Sequence, residues 1–198
     1  AIIPTVKMVA ITGSLAMNNA GKESDIDLMV VTKRGTLWTT RLLVYMVIHA
    51  FGLSLRKPND LHQKNRLCLN IWLDESDLVW KKSGRNVYSA HEIGQIIPLI
   101  NKNNTYEKFL SANKWILNFW PNSAKILSEK DIRILSAKNK NSISHYLYIF
   151  ISVFEKLAYW LQYNYMKSKI SREVVTPTRA LFHPHDWSRV VLDRLKGF

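Results

Sequence analysis

The chain contains very little cysteine. Cys68 is the only cysteine among 198 residues, which excludes an internal disulfide framework and every zinc motif built from several cysteines. A single thiol is typical of proteins that fold in a reducing compartment, so we expect a cytoplasmic location. Because Cys68 lies in an apolar segment, we expect a buried, inert thiol rather than a nucleophile.

The chain also lacks an uninterrupted hydrophobic run long enough to span a membrane. The apolar stretch 37–55 contains Arg41, and the stretch 143–166 contains Glu155 and Lys156 near its middle. A charged group at the centre of a bilayer costs about 2.5 kcal/mol or more, so we expect neither a span nor membrane attachment. The chain begins without a secretory leader and without an initiator Met, and we expect a trimmed sequence or a fragment.

Acidic residues are scarce relative to basic ones. The 28 Lys and Arg residues against 15 Asp and Glu residues give a net charge of +13. This charge attracts nucleic acid, nucleotides or anionic lipid without selecting among them. The hydrophobic fraction of 47% is enough to bury a core in one domain or in two small ones.

Two acidic residues nevertheless stand two positions apart in an apolar segment, Ser24–Val31. In an extended strand residues i and i+2 point the same way, so Asp25 and Asp27 share a face while Ile26 and Leu28 pack behind them. Two like charges this close repel each other unless a cation or a proton intervenes, and hard carboxylate oxygens suit Mg²⁺. The spacing predicts a site for Mg²⁺ or Mn²⁺ and a substrate that carries phosphate.

A Gly-Ser turn precedes the acidic strand. Residues 6–12 predict a short buried strand, Gly13 and Ser14 end it, and residues 15–17 predict a short helix. Glycine permits close backbone approach, and a turn that leads into a helix exposes N–H groups able to receive phosphate oxygens. The hydroxyl of Ser14 is a further donor. We therefore predict a phosphate cradle that faces the metal site.

This order of Gly-Ser, a spacer and Asp-x-Asp resembles the nucleotidyltransferase superfamily, which includes DNA polymerase beta and small bacterial and archaeal enzymes. The resemblance covers residues 6–32. It implies that Gly13 and Ser14 bind the triphosphate of a nucleotide such as ATP. It also implies that Asp25 and Asp27, as catalytic residues, hold divalent ions that assist attack on the α-phosphate. A nucleoside monophosphate would then pass to an acceptor, which is a protein hydroxyl, a small antibiotic-like molecule, a sugar or an RNA end.

Members of this superfamily usually carry a third carboxylate on a later strand, and the candidate strand here is 66–73. Its alternation predicts two faces, one with Leu67, Leu69, Ile71 and Leu73 and the other with Cys68, Asn70 and Trp72. Asn70 stands at the expected place, and an amide cannot accept a proton.

Because Asn70 stands where the superfamily usually has a carboxylate, several alternatives for the function of the site stay open. Catalysis works with two acids, or Asp74, Glu75 or Asp77 reaches the site, or the chain is a catalytically impaired module that binds nucleotide or polyanion. A structural subunit that docks a partner through aromatic helices is a further alternative.

The distribution of periodic segments predicts an α/β (α+β) protein. We expect a small mixed-sheet nucleotidyltransferase-like core over residues 1–85 and a helical C-terminal subdomain over residues 86–198. Within the core we predict a helix over 37–51 and strands over 26–32, 67–73 and 77–81. Beyond the core we predict only helices. The first of these opens with a capping box over 89–92, in which Glu92 is a cap rather than a catalytic acid. The last begins after Asp186.

Overall fold

A six-stranded mixed sheet in the order β4-β1-β2-β3-β6-β5 forms the centre of the protein. The computed structural model describes residues 3–56, 63–123, 145–182 and 187–195. The strands are β1 (Val6–Ile11), β2 (Ile26–Thr32), β3 (Leu67–Asp74), β4 (Ile97–Asn101), β5 (Val174–Thr176) and β6 (Arg179–Leu181). The helices are α1 (Gly13–Ala16), α2 (Leu37–Ala50), α3 (Val87–Gly94), α4 (Thr105–Ala112), α5 (His145–Met166) and α6 (Trp187–Leu195). Short 3₁₀ segments span Lys82–Gly84 and Lys114–Asn118.

The sheet is antiparallel except at its centre, where β2 and β3 run parallel. The last five residues of β2 are buried, as expected of a strand covered on both faces. The predicted α/β class and mixed sheet are confirmed, and the predicted bounds of β2 agree with the structure.

The two faces of the sheet carry separate cores. Met29 and Val31 of β2 pack with Ile93 of α3 on one face. Leu28 and Val30 pack with α2 and α5 on the other face. Because side chains alternate along a strand, Asp27 points to the face covered by α3, away from α2.

Helix α5 is joined to α2 by a half-buried carboxylate. Glu155 accepts hydrogen bonds from the backbone N–H groups of Trp38 (2.6 Å) and Thr39 (2.8 Å) at the first turn of α2. A carboxylate there satisfies unpaired donors and complements the helix dipole. None of the helices within the described ranges is long and apolar enough to cross a membrane.

The prediction that only helices follow residue 85 is wrong, because three strands from this part join the sheet. Strand β4 pairs with β1 at the sheet edge, where Pro98 is tolerated because an edge strand needs fewer N–H donors. Strands β5 and β6 have three residues each, too few for a clear alternation. The division into two domains at residue 85 stays a prediction, and the predicted helix start at Asp186 lies outside the described residues.

The predicted strand over 77–81 is also wrong. The backbone N–H of Asp77 donates to the carbonyl of Asp74 in a turn. The carbonyls of Asp77 and Val79 accept hydrogen bonds from the guanidinium of Arg179, so a side chain takes the place of a neighbouring strand.

A bulge in β3 overturns the predicted alternation of that strand. Asp27 pairs with Cys68 whereas Met29 pairs with Ile71, so β3 uses three residues where β2 uses two. The extra residue reverses the alternation. Ile71 and Leu73 therefore join the core beside α3, while Leu67, Leu69 and Trp72 pack on the opposite face.

Helix α3 begins earlier than predicted, and its cap is different. Asn86 is the N-cap residue: its side chain accepts from Ser89 N at 2.9 Å, and its backbone N–H donates to Ser89 Oγ at 3.0 Å. The prediction that Glu92 caps this helix is wrong, because Glu92 lies in the helix's second half and points elsewhere.

Candidate active site

The predicted site residues line one cavity of about 510 Å³ between the sheet and α3. It is lined, among others, by the residues predicted from the sequence, namely Gly13, Ser14, Asp25 and Asp27. Side chains from β3, α3 and the segment after α2 complete the wall, including Arg56, Cys68, Asn70, Tyr88 and Glu92. The structure thus brings the four predicted residues together, and their individual roles stay a prediction.

The Gly-Ser turn is held directly against the acidic strand. The backbone N–H of Thr12 donates to the carbonyl of Asp27 at 3.0 Å, which continues the β1–β2 ladder to the start of the turn. Gly13 has a φ of +63°, and a Cβ atom there would collide with the Asp27 carboxylate. Glycine is therefore required at this position for two reasons: the left-handed backbone conformation and the close approach of the Asp27 carboxylate.

Asp25 has a cationic partner that the sequence analysis missed. Its carboxylate, in a residue only 9% exposed, accepts a hydrogen bond from Nη1 of Arg56 at 2.7 Å. The same nitrogen lies 3.9 Å from the sulfur of Cys68. No short sequence motif predicts this ion pair, because Arg56 is 31 residues from Asp25 and the two side chains come into contact only in the folded protein.

The pKa of Asp27 is raised by its burial and by the neighbouring acid. Burial, followed by the negative charge of Asp25, raises the pKa of Asp27 to about 6, against opposing interactions with Cys68 and Arg56. Its carboxylate is therefore a group whose charge is stabilised by an added cation.

Asn70 contacts Asp27 and leaves one atom unsatisfied. Its Nδ2 donates to Oδ1 of Asp27 at 2.7 Å. Its Oδ1 is buried and has no hydrogen-bond partner among the described residues, although the residue is only 8% exposed. An unpartnered buried oxygen is costly unless something fills the place beside it. Two carboxylates and this carbonyl oxygen are a donor set that fits a hard divalent cation.

The three acids after β3 do not reach this site. Asp74 accepts from the backbone N–H of Gly35 at 2.6 Å, and Glu75 accepts from that of Arg34 at 3.0 Å. Asp77 forms an ion pair of 2.8 Å with Arg179. Since Asp74 pairs with Thr32 at the opposite end of β2 from Asp27, the alternative that one of these acids completes the site is excluded.

Cys68 stands beside the acid pair. One carboxylate oxygen each from Asp25 and Asp27 and the sulfur of Cys68 all lie within 4.8 Å of one another. Burial, and then the charges of Asp27 and Asp25, raise the pKa of the Cys68 thiol to about 12. The thiol is half-buried and protonated at neutral pH, so it is not a free thiolate nucleophile.

A third carboxylate comes from α3. Glu92 lines the cavity and accepts a hydrogen bond from the hydroxyl of Tyr88 at 2.8 Å. Burial raises the pKa of Glu92; the hydroxyl of Tyr88 opposes this effect, and the charge of Asp27 adds to it. The sequence pattern predicted a helix cap for Glu92 rather than a catalytic acid, because its place at the cavity depends on where α3 packs.

A family model supports the interpretation of the Gly-Ser and Asp-x-Asp motif. Residues 3–84 match the family model for polymerase beta, nucleotidyltransferase. Two crystal structures are similar to part of this chain: a mutant of the toxin–antitoxin MntA–HpeT, and a toxin–antitoxin with AMP-PNP. Each is 14% identical over 63% of this chain, covering 85% and 86% of its own chain, with TM-scores of 0.30 and 0.29. No curated protein matches the chain.

The matched segment contains the Gly-Ser turn, the acidic strand and β3. The resemblance to the nucleotidyltransferase superfamily that the motif predicted is therefore confirmed for these residues.

Proposed function

We propose that this protein catalyses nucleotidyl transfer from a nucleoside triphosphate to the hydroxyl of an acceptor, with a divalent cation at Asp25 and Asp27. The observation that carries the proposal is that the Gly-Ser turn and the acid pair line one cavity, which supports a phosphate cradle next to a cation site. Its volume of about 510 Å³ lies within the range of small-molecule sites.

Asp25 and Asp27 would hold the cation, and the unpartnered Oδ1 of Asn70 offers a further oxygen ligand. When bound, Mg²⁺ or Mn²⁺ neutralises charge on the triphosphate and polarises the α-phosphate. If the cation displaces Arg56 from Asp25, a phosphate oxygen of the substrate supplies another anion for the guanidinium.

Gly13 and Ser14 would position the triphosphate. The absence of a side chain at Gly13 lets the backbone approach the Asp27 carboxylate, so phosphate bound at the turn lies next to the cation. The Ser14 hydroxyl, which also lines the cavity, would donate to a phosphate oxygen.

Glu92 is the residue that we assign to proton transfer. The acceptor oxygen attacks the α-phosphorus, the bond from that phosphorus to the pyrophosphate oxygen breaks, and pyrophosphate leaves. The acceptor's proton passes to the Glu92 carboxylate, whose raised pKa makes it a better base than a solvated glutamate. Tyr88 orients that carboxylate through its hydrogen bond.

One observation favours the alternative of a nucleotide- or polyanion-binding module. On β3 the groups that face the acid pair are the amide of Asn70 and the thiol of Cys68, and neither is a carboxylate. If Glu92 does not accept a proton, the same cavity binds nucleotide without turning it over.

The test is a screen of the common nucleoside triphosphates, labelled at the α-phosphate, with the full chain and Mg²⁺ or Mn²⁺. Pyrophosphate release together with a labelled product, on the protein itself or on an added acceptor, supports transfer. The Asp27→Asn variant is the control for contaminating activity. Thermal stabilisation by nucleotide and cation without pyrophosphate release, across protein, sugar and RNA acceptors, supports the binding module instead.

A further inference from the structure

The third member of the cation cluster is a sulfur atom. Parallel register sets Cys68 opposite Asp27, and the sulfur lies within 4.8 Å of the carboxylate oxygens of both Asp27 and Asp25. Among the described residues this is the one group of three His, Cys, Asp or Glu side chains close enough to share an ion.

Two further observations indicate that a cation belongs here. Nη1 of Arg56 lies 2.7 Å from the Asp25 carboxylate and 3.9 Å from the Cys68 sulfur, so a positive group already contacts two of the three ligands. Asn70, more than nine-tenths buried, is a lining residue of the cavity, and its buried Oδ1 has no partner in the described part of the chain. The cluster therefore combines charge that needs neutralisation with an oxygen that needs a partner.

The chemistry of the donor set decides which cation fits. Magnesium takes oxygen ligands almost exclusively, whereas Zn²⁺ and Cd²⁺ accept a mixture of carboxylate and thiolate ligands. We propose that Cys68 is a metal ligand in this protein and gives the acid-pair site a preference for thiophilic divalent cations over Mg²⁺. This inference rests on the cation site of the proposed function and adds the identity of the third ligand.

Binding replaces a proton by the metal. The S–H bond of Cys68 breaks, a metal–sulfur bond forms, and the proton passes to solvent, with no change in oxidation state. The cation also neutralises Asp25 and Asp27, the charges that disfavour a thiolate in the metal-free protein.

The test uses the full chain freed of metal by a chelator. Cd²⁺ is titrated while the sulfur-to-cadmium charge-transfer absorption is recorded, and calorimetry gives the affinities for Zn²⁺, Mn²⁺ and Mg²⁺. Since Cys68 is the only cysteine, any such absorption reports this residue alone. We expect a saturable absorption band and an affinity for Zn²⁺ at least on the order of 100-fold above that for Mg²⁺.

The variants separate this proposal from the proposed function. Cys68→Ser should lose the absorption and most of the preference for Zn²⁺ while its binding of Mn²⁺ changes little, and Cys68→Ala provides a second variant if serine disturbs the strand. Asp27→Asn in the otherwise native chain should weaken both the absorption and the binding of every ion.

Two results overturn the role of Cys68. If Asp27 controls binding but the ion preference is the same in wild type and Cys68→Ser, the acid-pair site stands and the thiol is not a ligand. A cadmium band that Asp27→Asn leaves unchanged would place the thiol in some other site. Failure of every ion to bind would overturn this proposal together with the cation dependence of the proposed function.

Discussion

The side-chain nitrogen of Asn70 donates a hydrogen bond of 2.7 Å to Oδ1 of Asp27. A carboxylate oxygen can only accept, so the amide must present its nitrogen to Asp27, while its own buried oxygen has no hydrogen-bond partner among the described residues. The metal-free protein therefore satisfies Asp27 with a neutral donor and Asp25 with the guanidinium of Arg56. An incoming cation has to supplement or displace these partners.

Replacement of Asn70 by Asp tests this arrangement. Asn70→Asp removes the donor and places a third negative charge beside Asp27, so we expect the metal-free protein to lose about 2 kcal/mol of stability at neutral pH. The same change adds an anionic ligand, and we expect Mn²⁺ to bind on the order of 10-fold more tightly. Thermal melts with and without chelator, together with calorimetric titrations, measure both effects.

Asn70→Ala is the matched control, because it removes the hydrogen bond without adding charge. It should lose stability and gain no affinity for Mn²⁺. Equal affinities in wild type and Asn70→Asp would mean that position 70 does not contribute to the cation site.

The raised pKa of Asp27 predicts a specific pH dependence of stability. Its pKa rises from 3.8 to about 6 on folding, so the folded state binds the proton more tightly than the unfolded state. The contribution of this group is fully present below the unfolded pKa and is lost as the pH rises through the folded pKa. For metal-free protein the loss amounts to about 3 kcal/mol at most.

Asp27→Asn cannot titrate, so its stability relative to wild type should increase as the pH rises from about 4 to about 7. Chemical denaturation in the presence of chelator at a series of pH values gives the difference. A difference that is constant with pH, or that falls, would contradict the burial and repulsion that we attribute to Asp27.

Elements with a strong local sequence pattern are the ones that the sequence predicts correctly. Strands β1 and β2 and helix α2 were predicted to within about two residues, because each carries an apolar periodicity that matches its structure. The Gly-Ser turn and the acid pair were placed in one site for the same reason, since both lie at ends of strands that pair directly.

The wrong predictions concern elements whose structure is determined by tertiary contacts. The bulge in β3 leaves no trace in the residue pattern, yet it moves Ile71 to the other face of the strand. Strands β5 and β6 are too short to show a period, and they form because the edge of β3 needs a partner. Arg56 and Glu92 reach the cavity from segments whose local sequence describes only a loop and a helix.

The close approach of the turn to the acid predicts the effect of a single methyl group. Gly13→Ala introduces a Cβ into the Asp27 carboxylate and also strains a backbone with φ of +63°. Gly52 has a similar φ of +65° with nothing within 4 Å of the corresponding position, so Gly52→Ala measures the backbone cost alone, about 1 kcal/mol.

We expect Gly13→Ala to lose clearly more stability than Gly52→Ala and to lose the thermal stabilisation by nucleotide and cation, which Gly52→Ala should keep. Denaturant unfolding and thermal shift assays make the comparison. Equal losses in the two variants would show that the contact between Gly13 and Asp27 is unimportant in solution.

Replacement of Glu92 distinguishes most clearly between an enzyme and a binding module. Glu92→Gln keeps the size of the side chain and removes its ability to accept a proton, so any transferase rate should fall about 100-fold or more. Nucleotide and cation should still stabilise the variant. Because burial raises the pKa of Glu92, removal of its charge should also make the metal-free protein more stable at alkaline pH, a readout independent of activity.

Tyr88→Phe is the matched variant for this prediction, since it removes only the hydroxyl that donates to Glu92 at 2.8 Å. That hydroxyl lowers the pKa of Glu92, so its loss should move the rising limb of the pH–rate profile to higher pH without abolishing the rate. A base must be deprotonated to act, which fixes the direction of this shift. Should Glu92→Gln instead retain the wild-type rate and the same rising limb, the proton is accepted by another group and the assignment of Glu92 is wrong.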